Sequence, residues 1–138
     1  MTAAAVLAGC APAERTGEPA AIDGDGIPAP IDGLTGDAAR GQALLRGRDP
    51  ANCVLCHAVP GFAVAGNLGP PLAGVGARLS PAQLRLRVVD ERRVMPQTIM
   101  PSYHVTADFR DVASQYRGRP ILDAQQVEDI VAFLVTLR

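Results

Sequence analysis

The sequence has no Trp and no Lys, and aromatic residues make up only 4% of its 138 positions. Its length suits one domain and leaves little room for a second. Apolar residues reach 48%, enough for a core, but so few aromatics mean the centre must be filled another way. A large flat cofactor would do it. Strand-like alternation is missing, as are internal repeats. No apolar run approaches the roughly 20 residues of a membrane-spanning helix, so the chain does not span a bilayer by its own helices. A net charge of −1 gives no reason to expect nucleic acid as a partner. Only three cysteines occur, too few for a disulfide framework.

What is present begins with a short apolar start. Residues 1–13 read as an export signal. Leu7-Ala8-Gly9-Cys10 is similar to the lipobox at which bacterial lipoproteins are cut and lipidated, and Ala11-Pro12-Ala13 offers a small-x-small cleavage alternative. Export to the periplasm is expected, with membrane attachment only if Cys10 carries a lipid. Residues 14–34, rich in Pro, Gly, Ala and Asp without any period, are expected to be a flexible linker. Order is expected from Thr35, so the domain is 35–138.

Within it, Thr35 or Asp37 caps a helix over Ala38–Leu45, which Gly47 and Asp49-Pro50 end. Residues 58–78 hold so many Gly and Pro that an ordered loop is predicted. Ser80-Pro81-Ala82-Gln83 carries a capping box with proline in the first turn, and predicts a helix to about Asp90. Pro96 and Pro101 keep the Met95–Ser102 segment irregular. Asp123 opens a last helix whose Val127, Ile130, Val131 and Leu134 share one face. The fold class is all-α, a few helices with long ordered loops.

Cys53-Val54-Leu55-Cys56-His57 is C-x-x-C-H, the spacing of covalent haem attachment. Two thiols three positions apart on a helical turn reach the two vinyl groups of one porphyrin edge, and the next residue turns its imidazole to the iron. A dithiol redox pair is the rival, though it belongs near a βαβ pattern that is missing here. A four-ligand zinc site is the other, with Cys10 and His104 as the remaining N/S donors. For a second axial ligand the residues themselves leave Met100, Met95 and His104 open.

Gly69-Pro70-Pro71-Leu72-Ala73-Gly74, downstream of the motif, resembles the Gly-Pro-x-Leu-x-Gly of class I cytochromes c. That resemblance implies a class I cytochrome c-like fold around one covalently bound haem c. It implies that the Pro70 carbonyl accepts a hydrogen bond from His57 and that Arg78 lies near a haem propionate. Gly41 and Phe133 are similar to the family's packed helix pair.

From Gly36 to Arg138 the chain also resembles the SoxX family, the small cytochrome subunits of the bacterial thiosulfate-oxidising SoxAX complex. The segments that carry this are Gly66-Asn67-Leu68-Gly69-Pro70, Arg87-Val88-Val89-Asp90, Thr98-Ile99-Met100-Pro101-Ser102-Tyr103 and Gly118-Arg119-Pro120-Ile121-Leu122. It places the second ligand at Met100, so that His57 and Met100 hold the iron. His/Met ligation raises the potential and suits electron transfer. The resemblance implies a larger SoxA-type cytochrome as partner, and thiosulfate joined to a cysteine of a SoxYZ-type carrier. The electrons released would pass through this haem to a soluble cytochrome c. No residue of this chain is expected to be catalytic, since Cys53 and Cys56 become thioethers. The alternative is a free-standing periplasmic electron shuttle. A haem-based gas sensor is a third reading and would need an open sixth position. Arg85, Arg87, Arg92 and Arg93 crowd one region and are expected either to meet an acidic partner or to form a solvated face.

Overall fold

Helix α1 (Ala38–Arg46) starts where Asp37 turns its carboxylate back to accept from the Arg40 amide. The computed structural model describes residues 21–47, 50–106 and 112–138. Helix α2 (Val75–Arg78) is a single turn closing the breaker-rich loop, where the sequence predicts no long regular element. Helix α3 (Pro81–Asp90) begins with the Ser80–Gln83 capping box, and α4 (Ala124–Thr136) with an equivalent box from Asp123 and Gln126. Among the described residues there are no strands, only isolated bridges at Asp23–Gly26 and Ala58–Ala65. No helix among them is long and apolar enough to cross a membrane.

The core lies where α1 and α3 pack on α4. Val127, Ile130, Val131 and Leu134 are all buried there, together with Leu45, Leu84 and Leu86. Helix α1 crosses α4 so closely that a Cβ on Gly41 would collide with the Asp129 carbonyl and the Phe133 Cβ. Phe133 then stacks obliquely on Phe62, ring centroids 6.1 Å apart. At the start of α1, Arg40 bonds Asp129 through Nε and Nη2 at 2.7 and 2.8 Å, which holds that carboxyl below the usual carboxylate range.

Two expectations are corrected here. The linker is not free through residue 34, because Ile27 and Ile31 are 1% and 7% exposed and belong to the core. Their backbone is tied down as well. The Ile27 amide donates to the Ala82 carbonyl, and the Ile31 amide donates to Glu128 Oε1. Two isoleucines among prolines show no helical or strand period, yet they bury well in a groove whose polar walls satisfy their backbone. Second, the arginines are mostly ion-paired within the chain. Arg85 is 4% exposed and grips Glu128 through Nε and Nη2 at 2.7 and 2.9 Å. Arg92 takes both oxygens of Asp90, Arg93 lies 3.5 Å from the same carboxylate, and Arg87 reaches Glu91 at 4.0 Å. Burial takes Arg85 out of either a docking or a solvated face, whereas the Arg92 and Arg93 side chains stay 36% and 65% exposed while paired with Asp90.

Candidate functional site

Cys53–Leu55 forms one 3-10 turn, entered through Asn52 in the left-handed region. The amides of Cys56 and His57 both donate to the Cys53 carbonyl, at 3.1 and 2.9 Å. That turn brings the two thiols and the imidazole onto one compact stretch of backbone. Both cysteines are unpaired and partly buried. Burial pushes the Cys53 thiol up to about 11. A dithiol exchange centre works the other way, with its attacking thiol lowered toward neutrality, so the redox-pair reading loses support. The zinc reading loses it too. No group of three His, Cys, Asp or Glu side chains gathers among the described residues, and the His104 ring is engaged at Nδ1 with the Leu122 carbonyl at 2.8 Å. Cys10 lies outside the described residues.

The loop after the turn folds back over it. Amides of Gly66, Gly69 and Leu72 donate to the carbonyls of Val54, Cys56 and Ala58. This wrapping brings the Pro70 carbonyl 2.7 Å from His57 Nδ1. An imidazole that donates from Nδ1 to a carbonyl presents its Nε2 lone pair outward, oriented and made more basic. Gly69 backs the same ring, and an added Cβ would lie 2.7 Å from Nδ1 and closer still to Cε1. Arg78, exposed, sends Nη1 to the Ala73 carbonyl at 2.6 Å and Nη2 to the Pro71 carbonyl at 3.3 Å. It braces the loop that orients His57.

Met100 is partly buried and packs against the core, its amide accepted by Thr98 Oγ1 at 3.1 Å. Met95 is 57% exposed and Ile99 77%. Leu55, beside Cys56, and Leu68, beside Gly69, are also more than half exposed. These exposed apolar side chains lie within a few positions of Cys56, Gly69 and Met100 in the chain, and large apolar side chains left in water suit a surface that is covered in use. Two thiols and an imidazole whose Nδ1 is engaged, gathered on one turn, fit a haem held covalently at one edge.

Sequence reasoning missed the fastening behind Met100. Ser102 Oγ donates to Asp90 Oδ1 at 2.5 Å, and the Tyr103 hydroxyl donates to the Ala51 carbonyl at 2.7 Å. The Ser-Tyr pair after Met-Pro was the visible signal, but nothing in one dimension gives its partners.

A cytochrome c family model matches residues 38–138. Comparison with curated protein sequences returns no match. Among solved structures the chain is similar to a chain of the crystal structure of SoxXA from P. pantotrophus, with 34% identity and a TM-score of 0.75. The likeness covers 82% of this chain and 90% of that one.

Proposed function

This chain belongs to the cytochrome c family and carries one covalently bound haem c, and from that premise we propose that it is the electron-transfer subunit of a SoxXA-type thiosulfate-oxidising enzyme. The observation that carries this reading is the 34% identity to the SoxXA chain across nine-tenths of that chain's length. The cofactor supplies one-electron chemistry at iron. Everything else is done by the protein. Cys53 and Cys56 hold the porphyrin edge as thioethers. His57 would ligate the iron through Nε2, in the tautomer that the Pro70 carbonyl favours, and Met100 would supply the second ligand. Arg78 holds the Pro71–Ala73 loop and would lie near a propionate.

In the proposed reaction a sulfur of thiosulfate forms an S–S bond with a cysteine thiol on a SoxYZ-type carrier. The thiol proton leaves, and two electrons are released. Those electrons pass through a larger SoxA-type partner to this haem, one at a time, and on to a soluble cytochrome c. On this reading the reacting thiol belongs to the carrier, and Cys53 and Cys56 are committed to the porphyrin edge. The apolar, lipobox-like start supports a periplasmic location, tethered only if Cys10 is lipidated.

The test is purification from the native periplasm through a tag after Arg138. A larger haem protein should co-elute in about equal amount, and thiosulfate with the carrier should reduce the bound haem. A red monomer eluting alone would leave only a free-standing shuttle. Met100→Ala should abolish the sulfur-to-iron charge-transfer band of the ferric protein and lower its midpoint potential, with Met95 left intact. Retention of the band would remove Met100 from the iron. Gly69→Ala should force the His57 ring or its loop to move, at about 1–3 kcal/mol of stability, read by thermal denaturation. An unchanged melting curve would show that the ring has room.

A further inference from the structure

A thioether on a long, flexible side chain is a weak and easily displaced ligand, so its hold on iron depends on how firmly its backbone is placed. Before Met100 the segment is lightly tied: the Thr98 amide donates to the Met95 carbonyl, and the Met100 amide to Thr98 Oγ1. After Pro101 the ties multiply. Ser102 Oγ, in a residue only 6% exposed, meets the buried Asp90 carboxylate, whose two oxygens Arg92 also holds. The amides of Tyr103 and His104 reach the carbonyls of Val88 and Val89 on α3, and the Leu122 amide reaches the Tyr103 carbonyl. Most telling is the Tyr103 side chain. It is 7% exposed, and its hydroxyl donates to the carbonyl of Ala51, itself 1% exposed and two residues before Cys53.

One buried hydrogen bond therefore joins the segment bearing the methionine to the segment bearing the attachment cysteines. We propose that Tyr103, seconded by the Ser102–Asp90 bond, is a positioning residue for the Met100 thioether: its bond to Ala51 fixes the span across which the sulfur must reach. Burial raises the Tyr103 phenol, which keeps it a proton donor across the working pH range. The proposal rests on Met100 being an axial ligand, and its failure is separable from failure of that reading.

The experiment is displacement of the methionine by imidazole in the ferric holoprotein, followed through the sulfur-to-iron band. Tyr103→Phe keeps the ring and removes one hydroxyl. It should lose the band at roughly tenfold lower imidazole than the wild type, the factor a single hydrogen bond is worth. Ser102→Ala should shift the same way, and carries the test if Tyr103→Phe yields no holoprotein. Ile31→Ala, a core truncation in the N-terminal segment, should lower the melting temperature without moving the imidazole midpoint. A wild-type midpoint in Tyr103→Phe, or an equal shift in Ile31→Ala, overturns the proposal. Met100→Ala separates the two failures. If it retains the band, the ligand assignment falls and the proposal with it; if it lacks the band while Tyr103→Phe titrates like the wild type, only the positioning role falls.

Discussion

A chain with both Cys53 and Cys56 replaced by alanine is expected to lose all haem on denaturation, where the wild type keeps it through two thioethers. Each single replacement should retain haem through one thioether, with the absorption of the reduced, denatured haem shifted because one vinyl group stays unsaturated. The effect on folding should be nearly as large. The core among the described residues contains few aromatics, and Leu55, Leu68, Met95 and Ile99 all stand more than half exposed. Covering such side chains is worth about 1.5–3 kcal/mol each at full burial, so a chain that cannot hold its cofactor gives up several such contributions. A cofactor that binds the folded chain alone also adds stability by mass action, and covalent attachment makes that contribution permanent. The measurement is haem absorbance after denaturing gel filtration, with circular dichroism melting of the same samples. If the double variant kept haem through denaturing filtration, covalent attachment at these cysteines would be refuted.

Truncating Glu128 to alanine should cost about 3–5 kcal/mol, the usual range when one partner of a buried ion pair is removed. The side chains of Arg85 and Glu128 are only 5% and 4% exposed, so water can scarcely stand in for the lost partner. Glu128→Ala leaves the Arg85 guanidinium with carbonyl acceptors, chiefly Ile27 at 2.6 Å, and no neutralising charge. It also takes away the acceptor of the Ile31 amide. The loss should lower the melting temperature by more than about 10 °C and open residues 21–34 to protease before the rest of the domain. The double replacement Arg85→Leu with Glu128→Leu should recover much of the stability, because no charge is then stranded. If Glu128→Ala melted with the wild type, the pair would have no part in holding the N-terminal segment.

Much of the site is legible in one dimension because its constraints are local. Cysteine spacing in the 53–57 motif is a property of a single turn. Caps at Asp37, Ser80 and Asp123 are contacts over three residues, and prolines at 96 and 101 forbid helix where they stand. Gly69-Pro70 could be paired with His57 only because a family resemblance supplied the fold-back; the 2.7 Å bond itself spans 13 residues. The N-terminal segment is illegible in one dimension for a related reason. Composition reports whether a stretch can form a long helix or strand of its own, and residues 21–34 form only an isolated bridge and the 3-10 turn Ile31–Gly33, yet Ile27 and Ile31 are buried by surfaces that other elements bring.

By itself the sequence determined the haem-attachment turn, the three longer helices with their starting points and the choice of an all-α domain, since each follows from interactions within a few positions. Only the tertiary structure decided that Arg85 is an inward-facing ion-pair partner and not a docking charge. It alone brought Tyr103 to Ala51, 52 positions away, and Arg85 to Glu128, 43 away. A hydrogen bond or ion pair between distant positions leaves no periodic trace in the chain. It forms because apolar burial packs α3 on α4 and lays the methionine segment against α3, and buried polar groups must then have partners.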